Sequence, residues 1–184
     1  YADSPIVNTF SNIQGKSWTD WQSDKTATNF ITQDDNGNIG GTFYDNLDVI
    51  APSSYYYYAY PHQFAGEYLS YLLFQIEANK NWTDKPVIPF VWLRYSFNES
   101  LNNKAIRPWM AEATAIFPFF SGADGLWLWD NPEMFKTETD YSVYEYFNKG
   151  LYRLSAFKSF FEGDHTLIME TSARDYNENK QAIW

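Results

Sequence analysis

Cysteine is absent from this chain of 184 residues, and histidine occurs only twice. The lack of cysteine excludes disulfide bonds, thiolate zinc sites and a cysteine nucleophile. Two histidines far apart in sequence give no metal-binding pattern, and the glycine-rich phosphate-binding motifs and the serine nucleophile elbow are missing as well. We therefore expect neither a metal nor any other cofactor.

Long apolar runs are also missing, since none approaches the roughly 18 residues that a membrane-spanning helix needs. We therefore expect no membrane insertion. Basic residues are scarce: 13 Lys and Arg stand against 23 Asp and Glu, for a net charge of −10. A chain of this charge cannot neutralise phosphates, which argues against nucleic acid as a partner.

Aromatic residues are abundant: 8 Trp, 15 Tyr and 15 Phe make up 21% of the chain. Such an excess has two interpretations. The rings fill a large core, or some of them are exposed as platforms for sugars, whose C–H faces pack on flat aromatic rings as other apolar groups do. Composition alone leaves both open.

Three apolar runs begin at residues 47, 85 and 124, which are 38 and 39 residues apart, with helix-like sequence between them. Parallel strands need crossovers of this kind. The spacing predicts parallel strands over 47–52, 86–93 and 125–129, and a weaker run over 4–10 precedes them.

Apolar residues at steps of three and four predict helices over 64–79, 109–120 and 141–161. Pro108 suits the first turn of the second helix, and Asp140 is expected to cap the third. The chain is therefore predicted to be an α/β protein built from consecutive β/α units.

In parallel α/β folds, functional residues gather where the strands end at their carboxyl edge. Aliphatic residues predicted to face helices alternate there with aromatic and polar residues that would face a cavity: Val91, Leu93, Leu126 and Leu128 against Trp92, Arg94, Trp127 and Trp129. Packing inside a barrel explains the deeper residues equally well, so cavity lining is predicted for Trp92, Arg94 and Trp129 only.

The tyrosine run over 55–58 follows the first of these strands, and alternation would turn two of its rings towards the cleft. We count Tyr55 and Tyr56 among the predicted substrate-binding residues. Asp130 is the carboxylate best placed at this edge and is our candidate catalytic residue, although a substrate-binding or solvated carboxylate is the alternative.

Three short motifs resemble the late strands of the (β/α)8 barrel of hyaluronidase-like glycoside hydrolases: Pro52-Ser-Ser-Tyr55, Lys85-Pro-Val-Ile-Pro-Phe90 and Gly122-Ala-Asp-Gly-Leu-Trp-Leu-Trp129. The resemblance covers about residues 45–130 and implies that Tyr55 and Trp129 line a sugar site. The sequence departs from the family pattern at Ser54, where the family carries cysteine, and in a longer helix before Gly125.

The same resemblance implies a catalytic Asp-x-Glu pair on an earlier strand, for which residues 1–184 offer no counterpart. We therefore interpret residues 1–163 as the C-terminal half of a (β/α)8 (TIM) barrel with a hairpin-like excursion over 16–46. Residues 164–184 would begin a C-terminal β-region that breaks off within a strand. The missing N-terminal half of the barrel would be the main partner.

Three functions remain open at this point. The first is part of a secreted glycoside hydrolase that acts on an oligo- or polysaccharide in the extracellular space or periplasm. The second is a non-catalytic carbohydrate-binding or degenerate barrel protein of a polysaccharide-uptake system. The third is a structural protein whose aromatic face forms a subunit interface.

Overall fold

The computed structural model describes residues 8–9, 46–63, 65–96, 98–130 and 135–163. The predicted hairpin over 16–46, apart from its last residue, and the whole predicted β-region over 164–184 lie outside these ranges. The domain division therefore stays a prediction.

The strands are short and run in one direction: β1 Asn8–Thr9, β2 Val49–Ile50, β3 Ser53–Tyr56, β4 Phe90–Tyr95 and β5 Trp127–Leu128. β1 pairs with β2, and β4 lies between β3 and β5, with every pairing parallel. A parallel bridge from Ile50 to Val87 joins the two groups of strands. The predicted order of consecutive parallel strands is therefore confirmed.

Of the strand predicted over 47–52, the structure shows β2, and a further strand that was not predicted, β3, follows directly after Pro52. The Ile50 N–H donates to the Pro86 carbonyl at 2.8 Å, and the Phe90 N–H donates to the Pro52 carbonyl at 2.7 Å. Between these two bonds the ladder needs an N–H from residue 52, which proline lacks. β3 therefore continues β2 in the same direction, but one backbone hydrogen bond to the neighbouring strand is missing.

In the described ranges, helices follow β3, β4 and β5 in turn: α1 Glu67–Trp82, α2 Pro108–Phe120 and α3 Glu138–Ser155. A short 3-10 helix, Lys158–Phe160, comes after them. The helices and one face of the sheet enclose an apolar core. Its most deeply buried side chains, all with 1% exposure or less, include Leu72, Ile76, Val91, Ile106, Met110 and Val143.

α3 begins three residues earlier than predicted because its cap is Thr137 and not Asp140. The Thr137 side chain accepts a bond from the Asp140 N–H, and the Asp140 carboxylate accepts from the Thr137 N–H at 2.9 Å. This reciprocal pair is a capping box, with an acidic residue at the third helical position. Asp140 therefore lies inside the first turn.

α2 and α3 are in close contact at Gly150. A side-chain carbon there would lie 2.9 Å from the Ala115 Cβ and 3.0 Å from the Glu112 carbonyl oxygen, so no larger residue fits without a shift. Arg153 and Glu112 form an ion pair beside this contact. The two helices therefore form one closely packed layer.

After β4 the chain turns back along the same strand. The Tyr95 N–H donates to the Lys104 carbonyl, and the Ile106 N–H donates to the Leu93 carbonyl, both at 3.0 Å. Asn103 makes the turn with φ +64°, a conformation that asparagine tolerates. The returning segment, residues 103–106, bonds to the later part of β4, beyond the residues that pair with β5.

Candidate functional site

The two faces of the sheet have different compositions. Tyr56, Leu93 and Tyr95 belong to the core beneath the helices, together with the half-buried Leu126 and Leu128. The alternate residues of the same strands make aromatic contacts with one another: Tyr55 on β3, Phe90 and Trp92 on β4, Trp127 on β5 and Trp129 just after it. We call this set the aromatic face. The predicted alternation is confirmed.

Phe90 joins the two later strands of the aromatic face. Its ring centroid lies 4.9 Å from that of Trp127 and 5.8 Å from that of Trp129, the latter edge-on. Trp129 exposes 49% of its surface and is the most accessible ring of the set. Such a half-exposed indole, fixed by a neighbour, can stack on a ligand.

Tyr55 and Trp92 form the opposite part of the aromatic face, with ring centroids 5.6 Å apart in an edge-on arrangement. Burial raises the pKa of Tyr55, an effect that a hydrogen bond with the Ser53 side chain partly offsets. The phenol therefore stays protonated near neutral pH and is suited to hydrogen bonding. The Trp92 indole N–H is buried and has no hydrogen-bond partner.

Tyr56, which we expected at the substrate, lies on the other side of β3. It is 3% exposed, and its ring stacks on Tyr68 of α1 with centroids 3.7 Å apart. Burial among apolar groups strongly raises its pKa. Because side chains alternate along an extended strand, Tyr56 must face the helices when Tyr55 lies on the aromatic face. The structure therefore does not bring Tyr56 together with the other predicted residues.

Arg94 connects three segments at the carboxyl edge instead of facing an open cavity. Its guanidinium donates to the Asn103 carbonyl at 2.8 Å and to the Asp140 carboxylate at 2.8 Å. Its Nε atom lies 4.0 Å from Asp130 Oδ1. The Arg94 side chain is 8% exposed, so these groups replace most of its hydration.

Asp140 is therefore the partner that sequence reasoning missed. Burial alone raises the pKa of its carboxyl, but hydrogen bonds from Thr137 and Lys136 and the charge of Arg94 outweigh it, so the pKa lies below its usual value. The Thr-x-x-Asp pattern at 137–140 was the available sequence signal for the capping box. Nothing in the sequence indicated the contact with Arg94, 46 residues away.

Asp130, our candidate catalytic residue, follows β5 at the carboxyl edge as predicted. Its side chain is 9% exposed and faces Arg94. A carboxylate that faces a guanidinium can accept hydrogen bonds and position neighbouring groups. The catalytic role of Asp130 stays a prediction.

Phe90 and Trp127 also belong to this surface, although we did not expect them in the site. The same alternation that selected Trp92 and Trp129 assigns both rings to the aromatic face. Across the described ranges, no group of three or more acidic or histidine residues could hold a metal ion. Within those ranges no helix is long and apolar enough to cross a bilayer.

No protein-family profile matches the chain, and no curated protein matches it. Among solved structures, it is similar to bee venom hyaluronidase in complex with a hyaluronic acid tetramer, with 20% identity, 61% of this chain and 36% of that chain covered, and a TM-score of 0.44. A monoclinic crystal form of bee venom hyaluronidase gives 22% identity, coverages of 57% and 34%, and a TM-score of 0.40.

This chain thus spans about a third of the length of the solved structures that it matches. TM-scores below 0.5 do not establish a common fold. What the structure itself establishes is a mixed α/β architecture with parallel strands in chain order.

Proposed function

We propose that this chain is the polysaccharide-binding part of a glycoside hydrolase with a (β/α)8 barrel. The observation that carries the proposal is the aromatic face, on which five rings from three neighbouring parallel strands lie on the side of the sheet opposite the core. Flat rings on one side of a sheet suit the apolar C–H faces of sugars. The net charge of −10 favours this ligand over nucleic acid.

Trp129 is the proposed stacking platform because it is the most exposed ring on this face. Tyr55 and Trp92 form the other part of this face, where the Tyr55 hydroxyl offers hydrogen bonds to sugar oxygens and the buried Trp92 ring holds Tyr55 in place. Arg94 acts as a positioning residue that holds Asp130 beside them. Asp130 is proposed to accept hydrogen bonds from substrate hydroxyls.

Cleavage also needs a proton donor, and the two buried carboxylates at this edge are engaged with other groups. Asp130 faces Arg94, and Asp140 is occupied by the capping box. We propose that the catalytic carboxylates come from another part of a longer polypeptide, which also supplies the remaining strands of the barrel. A polysaccharide substrate places such a protein in the extracellular space or the periplasm.

The test is binding of oligosaccharides to the wild-type chain and to Trp129→Ala. The panel comprises chitin, cellulose, xylan and hyaluronic acid fragments, measured by isothermal titration calorimetry. We expect at least one fragment to bind and Trp129→Ala to weaken it about tenfold or more, because a lost aromatic contact is worth ~1.5 kcal/mol beyond its buried area.

Trp129→Phe keeps an aromatic face and should retain most of the affinity. Tyr152→Ala is the matched control, since Tyr152 is exposed on α3 away from the aromatic face. Binding that Trp129→Ala leaves unchanged would remove this residue from the site. The absence of binding to every fragment would refute the proposed function.

A second candidate is a non-catalytic carbohydrate-binding protein. The involvement of both Asp130 and Asp140 with Arg94 favours it, because both carboxylates already face a cation. Incubation of the full-length polypeptide with the same fragments separates the two. Release of new reducing ends supports the hydrolase, and binding without release supports the second candidate.

A further inference from the structure

A second group of aromatic residues lies just beyond the end of β3. The chain leaves the strand after Tyr56 and forms a loop over residues 57–63, next to the start of α2. We define the rim patch as Tyr57, Tyr58, Tyr60 and His62 of this loop together with Trp109 of α2. None of these residues belongs to the aromatic face.

The rings of the rim patch are held in place by one another. Tyr60 meets Trp109 edge-on with centroids 5.4 Å apart, and this contact ties the loop to α2. Tyr58 stacks on His62 at 4.5 Å with an interplanar angle of 8°. Tyr57 packs edge-on against Tyr58 at 4.8 Å.

The backbone of the loop is fixed as well. The Asn98 side-chain amide donates to the Tyr57 carbonyl at 2.9 Å, which links the loop after β3 to the loop after β4. Within the loop, the His62 N–H donates to the Ala59 carbonyl at 2.8 Å. The side chains are therefore ordered before any ligand arrives, which lowers the entropic cost of binding.

These fixed rings remain open to solvent. Tyr57 exposes 44% of its surface, Tyr60 52% and Trp109 51%. Each carries a polar group, a phenol hydroxyl or an indole N–H, beside its apolar surface. Rings of this kind combine stacking with hydrogen bonding, and both suit a sugar better than they suit an apolar ligand.

The rim patch lies next to the aromatic face, and this position indicates which ligand it binds. Tyr57 follows Tyr55 of the aromatic face by two residues, a span of about 7 Å along an extended chain. A polysaccharide that occupies the aromatic face and continues past Tyr55 in this direction reaches the rim patch next. A disaccharide confined to the aromatic face does not.

We propose that the rim patch is a second carbohydrate-binding site, which holds the part of a polysaccharide chain that extends beyond the aromatic face. This inference rests on the proposed function for its ligand class. Trp109 and Tyr60 provide the stacking surface. The stacked rings of Tyr58 and His62 stabilise the loop that carries Tyr60. The site confers a preference for long chains over short ones.

The test compares fragments of increasing length, from disaccharide to decasaccharide, of whichever panel glycan the wild-type chain binds. Trp109→Ala and Tyr60→Ala should each weaken decasaccharide binding by about five- to tenfold, the loss of one aromatic contact. Both should leave disaccharide binding unchanged. Trp109→Phe, which keeps the ring, should restore most of the decasaccharide affinity, and circular dichroism confirms the fold of each variant.

A spectroscopic readout locates the contact directly. The indole N–H resonance of Trp109 is assigned by its absence from the spectrum of Trp109→Phe, and it should shift with the decasaccharide but not with the disaccharide. The resonance of Trp129 should shift with both, since Trp129 belongs to the aromatic face.

Two different failures are distinguishable. If Trp129→Ala weakens binding and Trp109→Ala has no effect at any length, the rim patch is not a binding site while the proposed function stands. Equal effects of Trp109→Ala on short and long fragments would also overturn the inference. If no fragment binds the wild-type chain, both the proposed function and the second site are refuted.

Discussion

The two faces of the sheet use alternate residues of the same strands for different purposes. On β4, Val91 and Leu93 are buried against the helices, whereas Phe90 and Trp92 take part in the aromatic face. On the helical side, apolar side chains fill a core, and such a core tolerates hydrophobic substitutions that keep its volume. The other side combines rings with one buried cluster of charge. Stability and the proposed ligand binding should therefore be separable by substitution of neighbouring residues.

The largest effect should come from removal of the charge that organises the aromatic side. Arg94→Met leaves the buried carboxylates of Asp130 and Asp140 without their cation, and we expect a loss of ~3–5 kcal/mol in the free energy of unfolding. The measurement is urea denaturation followed by circular dichroism. Ligand binding should also weaken, because Asp130 loses its positioning partner.

An exposed ion pair supplies the control for that experiment. Lys80 and Asp124 are 2.6 Å apart with side-chain exposures of 38% and 41%. Lys80→Met should cost less than ~1 kcal/mol, because solvent screens the pair. Equal losses in the Lys80 and Arg94 variants would show that the buried cluster has no special role.

A second comparison tests whether the two faces are independent. Leu93→Ala empties a site in the core, and we expect it to lower the free energy of unfolding by ~2–5 kcal/mol. Trp129→Ala removes a half-exposed ring and should change that free energy by less than ~1 kcal/mol. Denaturation curves of the two variants give both values. A large loss in Trp129→Ala would mean that this ring is structural.

The smallest effect concerns the pH dependence contributed by Asp140. Its pKa in the folded chain lies below the ordinary value of 3.8, so the unfolded chain takes up the proton first as the pH falls. Its contribution to stability is therefore complete above the unfolded pKa and is lost as the pH falls through the folded pKa. Asp140→Asn lacks this contribution.

The free energy of unfolding should accordingly differ most between wild type and Asp140→Asn near neutral pH. The difference should begin to shrink as the pH falls through 3.8, the ordinary pKa, and should be lost only below the pKa of the folded chain. Urea denaturation at a series of pH values provides the measurement. A constant difference across this range would show that the carboxylate charge of Asp140 contributes nothing to stability.

Much of the fold could be predicted because its signals are local. The spacing of apolar runs gave the parallel order, and alternation assigned Leu128 and Trp129 to opposite faces. Pro108 marked the start of α2 correctly. These patterns depend only on the geometry of a strand or helix, so a sequence displays them directly.

The candidate site was harder to predict because it depends on contacts between distant segments. Alternation requires Tyr55 and Tyr56 to lie on opposite sides of β3, but only the stacking on Tyr68 shows which one faces α1. Similarly, the sequence marks Arg94 as a polar residue in an aromatic strand. Its engagement with Asn103 and Asp140 follows from the folded loops, and it is the basis of the positioning role that we propose for Arg94.

The returning segment after β4 has a consequence for how this molecule can vary. The Tyr95 N–H donates to the Lys104 carbonyl, and the Tyr95 carbonyl accepts from the Asn103 N–H. These two hydrogen bonds hold the ends of the loop together. Loops closed in this way tolerate changes in length, because the entropy of closure grows slowly with the number of residues. Relatives with longer or shorter insertions between residues 96 and 102 could therefore acquire different ligand preferences while the sheet beneath stays the same.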